Sequence, residues 1–242
     1  MLGKLVILGL VALLLVWAVK SQGPQAYGAF VKKYSRVSTE PFLPLTDFPR
    51  ETQTLQEHWQ VIADEVDAIP RTDLTHIKGD LFFRNIADDK WKKLYLKWYG
   101  DFDPIGLQKC PRTCAILRGL PSIKSAMISH LEPGAKIKPH RGPLAGIVRL
   151  HLGLNTPNQD ECFINVNGKN YSWRDGEVVL LDDTYEHYVE NNTDTTRTVL
   201  FCDIERPLKP GMPENINKFV IEYLGPLTSR ANAKNEQVVV VK

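Results

Sequence analysis

The chain has 242 residues, 43% of them hydrophobic, and a formal net charge of +2. That length can bury one sizeable core with a small helical annex, but hardly two full domains. With 30 basic against 28 acidic residues and no long basic run, the sequence lacks the electrostatic footprint of phosphate-backbone binding. Nucleic acid is therefore not expected as a partner.

An uncharged apolar run, residues 5–19, lies between Lys4 and Lys20. Fifteen residues are short for a span of ~30 Å at ~1.5 Å per residue, so a cleaved signal peptide has to be weighed against a membrane anchor. The small-x-small cleavage candidate at 26–28 lies well beyond the run. We therefore predict an uncleaved transmembrane anchor over residues 1–20.

The charges that flank this run predict its orientation. One lysine precedes the run, whereas several basic residues follow it, namely Lys20, Lys32, Lys33 and Arg36. Because basic flanks stay on the cytoplasmic side, the rest of the chain is expected to face the cytoplasm.

Residues 21–52 contain several helix breakers and no sustained hydrophobic period, which predicts an extended linker. A domain over 53–227 follows, with its core at 124–207. Its first helix is predicted by apolar residues at three- and four-residue steps, Leu55, Trp59, Ile62, Val66 and Ile69. The tail at 228–242 is polar until residues 238–241, and its role is open.

Residues 90–99 interleave lysines with aromatic residues and predict a half-buried strand with a solvated lysine face. Residues 107–119 predict a short helix that starts near Pro111. The pattern then changes to short strands punctuated by turns, of which Asn167-Gly168 is a strong hairpin signal. The predicted strands are 125–131, 146–152, 162–166, 169–173, 177–182 and 197–204, and a helix at about 214–224 caps them. This spacing is typical of a jelly roll.

Four cysteines lack the spacing of a metal knuckle: Cys110, Cys114, Cys162 and Cys202. The first two could share a helix face, where a disulfide or a zinc pair is the alternative. Buried free thiols are favoured, because a reducing compartment keeps thiols reduced.

Polar side chains on otherwise apolar strands indicate a site. In the strand 146–152, alternation places Arg149 and His151 on one face and apolar residues on the other. A buried guanidinium needs an anionic partner, which a carboxylate ligand would supply. The alternative is that Arg149 pairs with an acidic residue on a neighbouring strand. Two further histidines, His140 and His187, precede Arg197, and the set favours a metal site that binds an oxoacid.

Several short motifs stand out in this part of the chain. They are Glu132-Pro133-Gly134, Pro139-His140-Arg141-Gly142-Pro143, Arg149 to Leu154, Trp173 with Gly176-Glu177, Asp182-Asp183-Thr184 with His187, and Arg197. Together they resemble the aspartyl/asparaginyl β-hydroxylase family of Fe(II)- and 2-oxoglutarate-dependent dioxygenases. Within that family, the apolar N-terminal run and residues 91–99 and 201–207 look most like the bacterial lipid A 2-hydroxylases.

This resemblance implies roles for individual residues. His140 and His187 would be the iron ligands, and Arg197 would hold the distal carboxylate of 2-oxoglutarate. Ser129, Arg149 and His151 match positions around the co-substrate. Gly142 stands where the wider superfamily has an acidic third ligand, a gap that the β-hydroxylases share and fill with water.

The resemblance also implies the fold and the reaction. The fold would be mainly β, a double-stranded β-helix of jelly-roll type with flanking helices behind one transmembrane helix. The enzyme would use Fe(II), 2-oxoglutarate and O₂ to hydroxylate the acyl chain of a lipid A-like membrane lipid. It would be a single-pass protein of the bacterial inner membrane with a cytoplasmic catalytic domain. The alternatives are hydroxylation of Asp or Asn side chains in a protein, and a non-catalytic jelly-roll module that binds a ligand.

Overall fold

The computed structural model describes residues 23–77, 86 and 89–223. The predicted anchor at 1–20 and the tail at 228–242 lie outside the described residues. Within the described ranges, no helix has both the length and the apolarity needed to cross a bilayer.

Six helices and eleven strands make up the described chain. The helices are α1 (Gly23–Tyr34), α2 (Pro49–Glu57), α3 (Trp59–Asp67), α4 (Pro104–Lys109), α5 (Pro111–Arg118) and α6 (212–223), with 3-10 turns at Leu45–Asp47 and Arg71–Asp73. The strands are β1 (Phe42–Leu43), β2 (Thr75–His76), β3 (Trp91–Trp98), β4 (Ile123–Leu131), β5 (Lys136–His140), β6 (Ile147–Asn155), β7 (Cys162–Val166), β8 (Lys169–Ser172), β9 (Val178–Leu181), β10 (His187–Asn191) and β11 (Arg197–Glu205).

The strands form two antiparallel sheets. One has seven strands in the order β1-β9-β6-β11-β4-β3-β2, and the other has four in the order β5-β10-β7-β8. Both sheets contribute to one apolar cluster, for example Ile164 and Val189 from the smaller sheet and Met127 and Phe201 from the larger. The mainly β, jelly-roll class predicted from the sequence is therefore confirmed.

Helices cover the outer face of the seven-stranded sheet. Ile62 of α3 and Leu117 of α5 belong to one cluster with Leu150 of β6 and Leu200 of β11. The inner face of the same strands carries the polar side chains Arg149 and His151, as the alternation predicted. A strand pattern with one apolar face and one polar face thus marks the side on which the site lies.

The prediction that 21–52 is an extended linker is wrong for its described part. Helix α1 buries Val31 completely, and β1 forms the edge of the larger sheet, where Phe42 pairs with Leu181 of β9. Gly23 and Pro24 do not prevent the helix, because they stand in its first turn, where the missing N–H of proline has no intrahelical partner to lose.

Other predicted elements are confirmed with changes. The helix expected from residue 55 begins earlier and is divided at His58, whose φ of −107° and ψ of 9° leave the helical range. Strand β3 is present, but its lysine face is not wholly solvated, since Lys93 is only 2% exposed. Lys93 shares the inward face with Trp91, and its Nζ lies 4.0 Å from the centre of the Tyr95 ring.

Three further findings bear on the sequence predictions. All four cysteines are buried free thiols, which excludes the disulfide alternative. Asn167 and Gly168 both have positive φ, of 52° and 82°, as their hairpin requires. Strands β5 and β10 were not predicted, and they carry the two candidate iron ligands.

Candidate active site

The two candidate metal ligands face each other across a pair of neighbouring strands. His140 of β5 and His187 of β10 are direct register partners, and their ring centroids lie 4.1 Å apart. Nδ1 of His140 lies 2.7 Å from the Lys138 carbonyl oxygen, and Nδ1 of His187 lies 2.9 Å from that of Tyr185. If each Nδ1–H donates to its carbonyl, each Nε2 lone pair remains available to a metal.

Burial keeps both imidazoles in the neutral form that binds a metal. It lowers the pKa of His187 to about 3, with a further contribution from the neighbouring His140. It also lowers the pKa of His140. Because metal ligation requires the unprotonated ring, these shifts favour the binding-competent state at neutral pH.

Gly142 and Asp183 explain how the site is built without a third protein ligand. The Gly142 N–H donates to the Asp183 carbonyl oxygen at 2.7 Å, and a Cβ at position 142 would overlap the Asp183 carboxylate. The carboxylate therefore occupies the space that a side chain at position 142 would need. Among the described residues, no cluster of three or more His, Cys, Asp or Glu side chains could hold a metal ion. The described residues at this position thus offer a metal two imidazoles, His140 and His187.

Arg149 already has two carboxylate partners. Its Nη1 lies 2.8 Å from Asp183, and its Nε and Nη2 both donate to Asp203 Oδ1 at 3.1 Å. Asp203 also accepts hydrogen bonds from Tyr99 and Ser125, at 2.9 and 2.8 Å. The structure therefore bears out the alternative in which Arg149 pairs with an acidic residue on a neighbouring strand. The expectation that it lacks an anion unless a ligand supplies one is wrong.

Arg197, in contrast to Arg149, has no carboxylate partner among the described residues. Its side chain is 2% exposed, and its guanidinium carbon lies 4.5 Å from the centre of the Trp173 ring. Its Nη1 donates to the Ser129 hydroxyl at 3.4 Å, while its Nε has no partner in the described structure. Burial lowers its pKa to about 10, still well above neutrality. A buried guanidinium without a carboxylate partner is strongly unfavourable unless an anion binds.

His151 lies close enough to Arg197 and His187 for both to influence its pKa. Its Nδ1 accepts a hydrogen bond from the Trp173 indole at 3.3 Å, and its Nε2 is buried without a partner in the described residues. Burial lowers its pKa well below the usual value, and the charges of Arg197, Arg149 and His187 lower it further. In the neutral ring the proton is therefore on Nε2, which can donate to a ligand oxygen.

The structure thus brings together all six residues predicted for the site, Ser129, His140, Arg149, His151, His187 and Arg197. Sequence reasoning missed the carboxylates that hold Arg149, and the indoles that support Arg197 and Ser129. Trp91 Nε1 donates to the Ser129 hydroxyl at 2.9 Å, and Trp173 is 1% exposed. One signal was available, because Asp203 shares a strand face with Arg197.

Comparisons with known proteins find several relatives of this chain. A sequence model of the family described as Aspartyl/Asparaginyl beta-hydroxylase matches residues 56–207. An ornithine lipid ester-linked acyl 2-hydroxylase of Rhizobium tropici is 33% identical over 181 residues, covering 73% of this chain and 64% of that protein. The human aspartyl/asparaginyl beta-hydroxylase is 26% identical over 168 residues, covering 67% of this chain and 22% of that protein.

The chain therefore spans less than two thirds of the length of either relative. Among solved structures, a Pseudomonas putida prolyl-4-hydroxylase aligns with a TM-score of 0.45 and 16% identity, covering 76% of this chain and 99% of that one.

Proposed function

The chain belongs to the aspartyl/asparaginyl β-hydroxylase family, and on that premise we propose that it is an Fe(II)- and 2-oxoglutarate-dependent dioxygenase that hydroxylates the acyl chain of a membrane lipid. One observation carries the proposal: the same site contains two neutral imidazoles that can bind a metal and a buried guanidinium that has no carboxylate partner among the described residues. His140 and His187 supply the first part, and Arg197 supplies the second. Few ligands other than a metal-bound oxoacid need both.

Bound Fe(II) would supply the chemistry that reduces O₂ at the expense of 2-oxoglutarate, which leaves as succinate and CO₂. The protein's own groups bind and orient. Arg197 pairs its planar fork with the distal carboxylate of the co-substrate, a geometry that lysine cannot reproduce. The Trp173 ring and the Ser129 hydroxyl fix the guanidinium in place.

The remaining polar groups set the charge around the histidines. His151 offers its Nε2–H to a ligand oxygen, since Trp173 already occupies Nδ1. Arg149 holds the Asp183 carboxylate beside Gly142, while Asp203 holds Arg149 from the other side. Asp183 thereby places a carboxylate next to Gly142 and close to the two imidazoles that would hold Fe(II).

The lipid substrate is supported by the relative named as an ornithine lipid acyl hydroxylase, which is 33% identical. An anchor over residues 1–20 in a bacterial inner membrane, with the catalytic domain in the cytoplasm, completes this proposal and would keep the site near acyl chains. The assay described below compares the two candidate headgroups, a lipid A type and an ornithine type.

Hydroxylation of Asp or Asn side chains is the second candidate, favoured by the similarity to the human aspartyl/asparaginyl beta-hydroxylase. The test uses the purified full chain with Fe(II) and 2-oxoglutarate, and measures succinate with four substrates in turn. These are an ornithine lipid, a lipid A precursor, and peptides that contain Asp or Asn. We expect succinate formation that one of the lipids stimulates and the peptides do not. Stimulation by a peptide alone would select the second candidate, and no 2-oxoglutarate turnover under any condition would leave a non-catalytic ligand-binding module.

A further inference from the structure

Helix α6 turns an apolar stripe toward solvent. Large apolar side chains are exposed at six described positions, and four of them lie on α6 at positions i, i+4, i+7 and i+11. These four are Met212 (64% exposed), Ile216 (37%), Phe219 (38%) and Tyr223 (60%). Because 3.6 residues make a turn, the spacing aligns them on one face. We call this face the α6 stripe.

The opposite face of α6 is firmly attached to the domain. Asn217 is 1% exposed and donates to the carbonyl oxygens of Gly146 and Arg206, at 3.2 and 3.1 Å. Val220 and Ile221 are buried beside it. The outward direction of the stripe is therefore fixed by the fold. A surface helix ordinarily turns its polar face outward, so a fixed apolar face points to a partner.

The position of the stripe indicates what that partner is. Tyr27 of α1 donates to Asn217 Oδ1 at 2.6 Å, so α1 and α6 touch. Helix α1 begins at Gly23, four residues after the end of the apolar run at 5–19. Four residues reach at most about 14 Å. A bilayer that holds this run therefore lies within reach of the stripe.

Charge supports the same partner. Lys32 and Lys33 lie in the last turn of α1, and Lys209, which precedes α6, donates its N–H to the Tyr34 carbonyl oxygen. All three lysine side chains are exposed. With Lys218 of α6, these lysines outnumber the two acidic residues of the same helix, Glu214 and Glu222. A basic surface with an apolar stripe that includes a stacked Phe219–Tyr223 pair is typical of one that binds anionic lipid.

A second copy of the chain fits this surface less well. At about 200 Å² per large side chain, the exposed parts of the four residues offer on the order of 400 Å². A stable protein interface needs about 800 Å² per partner. The α6 stripe is thus too small to hold a dimer together, whereas an interfacial helix needs only a shallow apolar face.

We propose that the α6 stripe is a membrane-docking surface that rests on an anionic lipid bilayer beside the N-terminal apolar run. This inference rests on the proposed lipid substrate and anchor. It adds an orientation, because Lys32 lies 4.1 Å from the centre of the Tyr185 ring, two residues before the candidate ligand His187. The basic end of α1 therefore lies next to the turn at 182–186 that leads into His187.

The four native cysteines are buried, so the full chain permits labelling at one introduced thiol. Phe219→Cys and Tyr223→Cys would each be labelled with a fluorescent maleimide. The labelled proteins would then be reconstituted in vesicles of phosphatidylethanolamine and phosphatidylglycerol that contain a lipid with a nitroxide quencher. Ile105→Cys on α4 is the matched control, because Ile105 is also an exposed apolar residue of a helix, at 53%. We expect several-fold stronger quenching at positions 219 and 223 than at 105.

Equal quenching at the three positions would overturn the inference. So would a probe at position 219 that vesicles leave unaffected and that becomes shielded from solvent only when the protein dimerises. A Phe219→Ser/Tyr223→Ser variant separates this claim from the proposed function. It should still turn over lipid dispersed in detergent and lose most turnover of lipid in vesicles. If no lipid is modified under any condition while the quenching pattern appears, the surface stands and the substrate is wrong. If lipid is modified and the quenching is equal at all three positions, the docking surface is wrong and the proposed function still holds.

Discussion

Gly142 and Asp183 are packed against each other beside the histidine pair, so that neither position can accept a larger side chain. The Gly142 N–H donates to the Asp183 backbone carbonyl at 2.7 Å, and a methyl group at position 142 would overlap the Asp183 carboxylate. That carboxylate is 1% exposed and pairs with Arg149 at 2.8 Å, so it cannot move aside without breaking a buried ion pair.

Gly142→Ala should therefore be costly although it adds a single carbon. Overpacking of this kind destabilises by about 1–3 kcal/mol, and the displaced carboxylate should also weaken Fe(II) binding. Urea unfolding and equilibrium dialysis with Fe(II) measure the two effects. Gly28→Ala is the control, because a Cβ there would meet only Ala145, at 4.0 Å. A Gly142→Ala variant as stable as Gly28→Ala would show that the carboxylate is free to relocate.

Arg197→Lys should raise the KM for 2-oxoglutarate. The guanidinium is buried over Trp173 and has no carboxylate partner in the described structure. Hydrogen bonds to charged groups contribute about 1.5–3 kcal/mol, so their loss corresponds to roughly a 10- to 100-fold increase. Succinate formation against 2-oxoglutarate concentration measures it, with the exposed Arg112→Lys as the control. An unchanged KM would assign the distal carboxylate to another cation.

The ion pair between Asp182 and Arg206 should be important for stability. Its N–O distance is 2.8 Å, and the two side chains are 1% and 0% exposed. Asp182→Asn would leave the buried guanidinium uncompensated, which costs about 3–5 kcal/mol. Asp160→Asn is the matched control, since Asp160 pairs with Arg174 while 85% exposed, and a pair at the surface contributes less than about 1 kcal/mol. Similar urea midpoints for both variants would contradict this contrast.

His130 should make the metal-free protein sensitive to acid. Burial, followed by the charge of Arg197, lowers the pKa of its imidazole from 6.5 to about 4. The unfolded chain then binds more protons than the folded chain between these two values, so stability falls as the pH drops from about 6.5 to about 4. His130→Gln should reduce that slope, whereas the exposed His76→Gln should not. Urea unfolding at several pH values measures both slopes, and an unchanged slope in His130→Gln would contradict the assignment.

The sequence predicted the strands whose alternation is strong and missed those that carry the chemistry. Strand β6 shows one wholly apolar face, so its inward Arg149 and His151 could be placed in advance. Strands β5 and β10 are short, belong to the smaller sheet and contain charged residues and Pro139, so no apolar period marks them. Their histidines, His140 and His187, were noticed as a set with Arg197, and the resemblance to a family gave their role as iron ligands.

The partners of Arg149 could not be predicted because they depend on strand register. Asp203 faces Arg149 only because β11 and β6 pair antiparallel with these two residues opposite each other. In the same way, α1 folds because Val31, Ala145 and Leu208 form a small cluster, and these residues lie far apart in the sequence. Periodicity within a segment carries no information about such contacts.

Mass spectrometry of membrane lipids tests the central claim most directly. Cells that produce the full chain would be grown under ¹⁸O₂ and compared with cells that produce His187→Ala. This substitution should keep the fold while it removes one of the two imidazoles offered to iron. The account predicts that an acyl chain gains one labelled oxygen atom in the first cells and none in the second. Unchanged lipid masses in both, together with labelled oxygen on an Asp or Asn residue of a protein in the first cells, would contradict it.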